Sequence, residues 1–67
     1  MQINLLSFPP GMRLRILRTL AGMKLWQLAT KSGVPQGRIS EIETGRRAIN
    51  DEERILVMDA LRPRLPK

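Results

Sequence analysis

The apolar positions of this chain recur at the three- and four-residue spacing of helices, and glycine and proline divide them into four segments. The first helix is predicted from about Pro10 to Ala21, because proline suits the first helical position and Gly22 suits the end. Its core-facing stripe is predicted to consist of Leu14, Leu17, Leu20 and Ala21.

Two shorter helices are predicted next. The second covers roughly Leu25–Ser32 and ends at Gly33. The third begins near Pro35, runs to about Glu43 and ends at Thr44-Gly45. The positions expected to face inward are Leu28 and Ala29 on the second helix and Ile39 and Ile42 on the third.

A fourth helix is predicted after Asn50, which has the side chain of an N-cap and is followed three residues later by Glu53. Two prolines exclude a further helix in the tail 62–67. The positions expected to face the core are Ile55, Leu56, Met58 and Leu61 on this helix, with Met12 and Met23 as additional core residues.

The segment before the first helix is predicted to be a short extended arm. Residues 1–9 are uncharged and rich in apolar side chains, and Pro9 and Pro10 end the segment. Ile3 and Leu5 alternate as in a strand, although Leu6 and Phe8 break the alternation. No other strand is indicated. The sequence therefore predicts an all-α fold, a compact bundle of four short helices in one domain over 1–67, since a chain of this length has no area for a second core.

The charge is strongly basic, with 12 Lys and Arg against 6 Asp and Glu and a net charge of +6. It is also uneven, because the first forty residues contain no acid. Such an excess favours a polyanionic partner, nucleic acid first and an anionic membrane surface second. The six bases of this half are Arg13, Arg15, Arg18, Lys24, Lys31 and Arg38.

Several kinds of function are disfavoured by what the composition lacks. The sequence has no cysteine, histidine or tyrosine, so it lacks thiolate and imidazole ligands and the commonest general base. We expect no enzyme activity, no metal, no cofactor and no small-molecule ligand. The longest uncharged stretch, Met1–Met12, is shorter than the roughly 20 residues of a membrane-spanning helix and has no basic start, so we expect a cytoplasmic protein.

The second and third helices have the pattern of a helix-turn-helix. The turn around Gly33 is so short that the helices must cross steeply, and Ala29 provides a small residue at the crossing. Ile39 and Ile42 give the third helix an inward face, which leaves its other face outward. In this arrangement the second helix of the pair is able to enter a major groove.

The spacing resembles that of the lambda-repressor-like (Xre/Cro type) DNA-binding domains over residues 14–47. The matching pieces are Leu14-x-x-Leu17-Arg18-x-x-x-Gly22, Leu28-Ala29-x-x-x-Gly33-Val34 and Ile39-Ser40-x-Ile42-Glu43-x-Gly45-Arg46-Arg47. The resemblance implies that the third helix reads DNA bases and that Arg18 and Glu43 form a structural salt bridge. The implied base-reading residues are Gln36, Gly37, Arg38, Ser40 and Glu41, and the implied phosphate-binding residues are Lys24, Leu25, Thr44, Arg46 and Arg47.

Some positions depart from the family pattern. Lys24 and Leu25 stand where a capping Ser or Thr and a Gln are usual, and Gly37 stands where a base-reading side chain is common. Glu41 would be repelled by DNA unless it accepts a hydrogen bond from cytosine or pairs with Arg38. The family often has a fifth helix that builds a dimer, and this sequence stops before it.

These observations predict a sequence-specific double-stranded DNA-binding protein, a repressor-like regulator of phage, plasmid or bacterial type. We expect a homodimer formed through the N-terminal arm or helix 4. One alternative is a protein-interaction module, such as an antitoxin or a subunit of a larger complex, that uses the apolar arm. Another is a basic membrane-surface binder. Trp26 is expected to pack over the first helix or to lie against a DNA backbone.

Overall fold

The computed structural model describes residues 4–65, and these residues form four α-helices with no strand. A 3-10 turn precedes the first helix and another follows the last. The all-α bundle is confirmed, and each predicted helix boundary agrees to within about one residue. The helices are α1 (Pro10–Leu20), α2 (Leu25–Ser32), α3 (Gln36–Glu43) and α4 (Asp51–Leu61), and the turns are Leu5–Ser7 and Arg62–Arg64.

The start of α4 is fixed by its capping box. The Asn50 side chain accepts a hydrogen bond from the Glu53 N–H at 2.7 Å, and the Glu53 carboxylate accepts one from the Asn50 N–H at 3.1 Å. Two N–H groups that the helix itself leaves without partners are thereby satisfied. The predicted cap is confirmed.

The core lies where α2 packs on α3 and α4 while α1 packs on α3. The inward positions predicted for α2 and α3 are confirmed, because Leu28, Ile39 and Ile42 are fully buried and Ala29 packs against them. The buried apolar side chains are Leu14, Ala21, Met23, Leu28, Val34, Ile39, Ile42, Val57 and Leu61.

Four residues predicted to be in the core are instead exposed, by 38–61%. On α4 the buried residues are Val57 and Leu61, spaced by four. The run Ile55–Met58 is entirely apolar, so its pattern does not set the phase of the helix, and packing against α2 decides it. The wrongly placed residues are Met12 and Leu20 on α1 and Ile55 and Leu56 on α4.

The arm forms a helical turn where an extended segment was expected. Leu5–Ser7 make one 3-10 turn, because the Asn4 side chain accepts a hydrogen bond from the Leu6 N–H at 3.0 Å and caps it. Ile3, on which the predicted alternation also relied, lies outside the described residues.

Helix α1 approaches the end of α3 at a glycine. Gly11 is buried, and a Cβ atom placed there would lie 2.0 Å from the carbonyl oxygen of Ile42. Any side chain would therefore push the two helices apart. The sequence pattern did not single out this residue, although it sets how closely α1 packs on α3.

No helix within residues 4–65 has the length and apolar character needed to cross a membrane.

Candidate nucleic-acid interface

The turn between α2 and α3 is held by local hydrogen bonds and one buried side chain. Gly33 ends α2 with φ 79° and donates its N–H to the Ala29 carbonyl at 2.9 Å. The buried Ser32 hydroxyl accepts a hydrogen bond from the Val34 N–H at 3.1 Å. The Val34 side chain is buried, so the angle between α2 and α3 is fixed on both sides of the glycine. Sequence reasoning missed the role of Ser32.

The first turn of α3 is the most exposed part of the predicted base-reading set. Gln36 and Gly37 are exposed, whereas Arg38, Ser40 and Glu41 are half-buried. Nothing lies within 4 Å of a Cβ atom built on Gly37, so the free protein has open space there. The glycine allows another molecule to approach the α3 backbone closely.

Arg38 is paired with an acid of α4. Its Nε and Nη2 atoms donate to the two carboxylate oxygens of Glu53 at 2.5 and 3.1 Å. The alternative pairing of Arg38 with Glu41 is not formed, because the guanidinium points back to the start of α4. The side chain that was predicted to read guanine thus ties α3 to α4, and a base contact would require it to leave Glu53.

The pairing changes the titration of both groups. The Arg38 hydrogen bond, with a smaller effect from the Asn50 backbone, holds the pKa of Glu53 below its ordinary value of 4.5. The same hydrogen bond raises the pKa of Arg38. Glu53 therefore both caps α4 and joins it to α3 while it is ionised.

This pair predicts a loss of stability in acid. Because the pKa of Glu53 is lower in the folded chain than in the unfolded chain, its contribution is complete above the unfolded pKa of about 4.5 and disappears as the pH falls through the folded value. We expect Glu53→Gln to lower the free energy of unfolding near pH 6 and to flatten its decline towards about pH 3. Urea unfolding at both pH values measures the free energy of unfolding. An equal fall in this free energy between the two pH values for wild type and variant would contradict the prediction.

Glu41 is paired with a loop arginine. Its carboxylate accepts a hydrogen bond from Nε of Arg47 at 3.1 Å, and both side chains are about half exposed. The loop backbone is held to the same residue, since the N–H of Arg46 donates to the Glu41 carbonyl at 2.9 Å. The charge of Glu41, which DNA would otherwise repel, is thus neutralised by Arg47, one of the residues predicted to bind phosphate.

The remaining predicted phosphate ligands differ in what they offer. Thr44 uses its hydroxyl proton within the chain, because that group donates to the carbonyls of Ser40 and Glu41 at 3.0 and 3.2 Å. The Arg46 side chain is exposed, and within residues 4–65 it forms no ion pair. Arg46 is therefore available to an anion, whereas Thr44 must first give up an internal hydrogen bond.

The start of α2 is capped from within the helix. The Gln27 side chain accepts a hydrogen bond from the Lys24 N–H at 2.7 Å, and the exposed Lys24 side chain does not cap the helix. The N–H groups of Leu25 and Trp26 precede the first helical hydrogen bond and point out of the end of α2. An exposed cation and two amide donors thus stand together at this helix end.

Trp26 lies beside the C-terminal turn and not over α1. The residue is 55% exposed and borders a shallow groove. The other residues that line this groove are Met23, Gln27, Thr30, Lys31 and Arg64, none of which belongs to α1.

A largely buried ion pair fixes α1 to the end of α3. Nε and Nη2 of Arg18 donate to the two carboxylate oxygens of Glu43 at 2.8 and 3.0 Å, and Nη1 donates to the Met23 carbonyl at 3.0 Å. The Arg18 and Glu43 side chains are only 15% and 6% exposed. The hydrogen bond to Glu43 raises the pKa of Arg18, against the opposing effect of burial. The structure therefore brings together the two residues of the implied salt bridge.

Comparison with models of protein families gives a match over most of the chain. A family model described as a helix-turn-helix domain matches residues 11–62, from the glycine of α1 to the first residue after α4. The chain belongs to the helix-turn-helix domain family. No curated protein and no solved structure matched it. The helix-turn-helix is the α2–α3 unit described above, and membership of this family points to DNA as the partner.

Proposed function

We propose that this helix-turn-helix domain is a sequence-specific double-stranded DNA-binding protein, a small cytoplasmic repressor-like transcription regulator of phage, plasmid or bacterial type. The observation that carries the proposal is the exposed first turn of α3, which follows a turn held by hydrogen bonds and has exposed cations before and after it in the chain. Lys24 lies on one side in the chain, and Arg46 and Arg47 lie on the other. In this reading α3 enters the major groove and the cations hold the two DNA backbones.

Base reading begins at Gln36. It is exposed at the start of α3, and a glutamine amide pairs bidentately with adenine in the major groove. Gly37 beside it lets the backbone approach the base edges, and the Ser40 hydroxyl can bond to any base. Arg38 can contact a base only when it leaves Glu53, and Glu41 only when it leaves Arg47. Specificity at these two residues therefore depends on the exchange of an ion pair within the protein for a contact with DNA.

Phosphate binding is assigned to Lys24, the N–H of Leu25, Arg46 and Arg47, with Thr44 as a weaker contributor. A helix N-terminus and cationic side chains are common phosphate ligands. Each phosphate neutralised releases condensed counterions, so we expect the logarithm of the binding constant to fall by about 0.9 per contact for each tenfold rise in salt.

A second copy completes the proposed regulator. A module of this size buries a modest interface on DNA, and high specificity ordinarily comes from two half-sites about 34 Å apart. We propose a homodimer that uses the N-terminal arm or α4 and that regulates a promoter by occluding it or by recruiting another protein to it.

Two alanine substitutions test the proposed division of roles. Arg46→Ala removes an exposed cation, so it should weaken binding to every sequence alike and reduce the salt dependence by about one phosphate contact. Gln36→Ala should instead relax the preference at one base pair by about 1–3 kcal/mol. Both are measured by titrating the protein with its selected site, with single-base variants of that site and with random duplex.

The control is Lys31→Ala, which removes an exposed cation of α2 that is assigned no contact with DNA. Its affinity should stay closest to that of the wild type. If each of the two substitutions, Gln36→Ala and Arg46→Ala, weakened binding to selected DNA and to random DNA equally, α3 would not be the helix that recognises the bases.

A further inference from the structure

Two exposed apolar faces remain outside the proposed DNA surface. The first, here called the α1 face, consists of Met12, Ile16 and Leu20 together with Phe8 of the arm. The three α1 residues are spaced by four and lie on the side away from the core, and Met12 and Leu20 are 42% and 50% exposed. This face borders the exposed Arg15.

The second, here called the α4 face, consists of Ile55 and Leu56 with the acids beside them. Ile55 and Leu56 are 61% and 38% exposed. Glu52 and Asp59 lie three and four residues from Ile55, so they share its side of the helix. Both acids are exposed.

The two faces carry opposite charge. Helix α1 has no acid, and of its three arginines Arg15 is the exposed one, whereas α4 contains four carboxylates and one arginine, with Arg62 directly after it. Three exposed carboxylates lie on α4: Asp51, Glu52 and Asp59. Asp51 and Asp59 contact arginines of the same segment only in exposed pairs at 3.7 and 3.4 Å, and such pairs are weak.

We propose that the α1 face of one copy docks on the α4 face of a second copy, so that the chains associate head to tail. Both faces are apolar, and this pairing sets Arg15 of one copy against Glu52 and Asp59 of the other. A symmetric pairing of two α1 faces would set Arg15 against arginine, and a symmetric pairing of two α4 faces would set acid against acid. Electrostatic complementarity therefore selects the unequal pairing.

The inference refines the homodimer of the proposed function but does not depend on DNA binding. A head-to-tail contact leaves one face of each kind open at the two ends of a dimer, so a further copy can add. On DNA it orients successive copies alike and calls for directly repeated half-sites. Each face holds only a few apolar side chains, so the contact belongs with small, weak interfaces.

The test is a mixing experiment with the full chain and without DNA. Leu20→Glu disables the α1 face but leaves the α4 face, and Ile55→Asn does the reverse. Both positions are half exposed or more, so the fold should survive, and circular dichroism checks this. In sedimentation velocity we expect each variant alone to be a monomer of 7.7 kDa and an equimolar mixture to form a species of twice that mass.

Wild type should show a mean mass that rises with protein concentration beyond that of a dimer. Self-association of either variant alone would overturn the head-to-tail contact while leaving a symmetric homodimer possible. A mixture that stays monomeric at every concentration would also overturn it. Neither result bears on DNA binding, which the Gln36 and Arg46 variants report separately.

A charge exchange tests the polar part of the contact. Adding Arg15→Glu to the Ile55→Asn chain should abolish its association with the Leu20→Glu chain, because it sets a carboxylate against the α4 acids. Adding Glu52→Arg to the Leu20→Glu chain should restore the association. Loss without restoration would show that the α1 face does not meet Glu52.

Discussion

Gly11→Ala is expected to lower the free energy of unfolding by about 3 kcal/mol, at the upper end of the effect of overpacking a core. The added methyl group would lie 2.0 Å from the Ile42 carbonyl oxygen, and a second carbonyl, that of Glu43, is 3.1 Å away. Both belong to the backbone of α3 and cannot rotate aside as a side chain can. The helices must separate, which also disturbs the Arg18–Glu43 pair between them.

Thermal unfolding measures this effect, which corresponds to a fall in Tm on the order of 15 °C for a domain of this size. The matched control is Gly37→Ala, where nothing lies within 4 Å of the new methyl group. That variant should be slightly more stable than wild type, by about 0.5 kcal/mol, because alanine is the better helix former. Equal stability of the two variants would show that α1 and α3 are not in close contact.

Glu43→Ala is expected to lower the free energy of unfolding by about 3 kcal/mol. The substitution leaves the guanidinium of Arg18 in a site where the arginine side chain is only 15% exposed, with the Met23 carbonyl as its remaining partner. An uncompensated charge in such a site is strongly destabilising, and burial already opposes the charged form of this arginine. Urea unfolding of the purified variant gives the value.

The control for Glu43→Ala is Glu41→Ala, two residues earlier on the same helix. It also breaks a glutamate–arginine pair, but the Arg47 and Glu41 side chains are 54% and 40% exposed. Pairs in water contribute little, so the change should not exceed about 0.5 kcal/mol. A loss at Glu41 as large as the loss at Glu43 would contradict the view that burial makes the Arg18 pair important.

The helix boundaries could be predicted from sequence because local residues determine them. Gly33 ends α2 by adopting a positive φ, and Asn50 and Glu53 cap α4 through bonds that span three residues. Such signals act between neighbours in the chain. The helix-turn-helix could be predicted as well, because its short turn leaves the two helices few ways to pack.

The features that could not be predicted depend on contacts between distant residues. The predicted inward face of α4 was wrong because Ile55–Met58 is apolar throughout, and only packing against the other helices determines that Val57 is the buried residue of this run. Arg38 finds its partner fifteen residues away on another helix, so spacing along α3 gave no sign of it. In the sequence Gly11 looks like an ordinary residue of the first turn of a helix, because its contact with the backbone of α3 exists only in the folded chain.

The ion pairs around α3 bear on how the proposed site would work. Three arginines, one in α1, one in α3 and one in the loop after α3, hold carboxylates in the free protein. The largely buried Arg18 pair supports the fold, whereas the Arg38 and Arg47 pairs lie at the proposed DNA surface. We infer that binding there exchanges internal partners for bases and phosphates, which makes the apparent affinity the difference between two sets of contacts.

Selection of bound duplexes from a random pool, at near-physiological salt, tests sequence-specific recognition most directly. The proposed function predicts enrichment of one short site for the wild type, with one base pair of that site relaxed for Gln36→Ala. Direct repeats of the site would agree with head-to-tail association. A pool that stays random after selection, whether the protein retains DNA or not, would contradict the claim that α3 reads sequence.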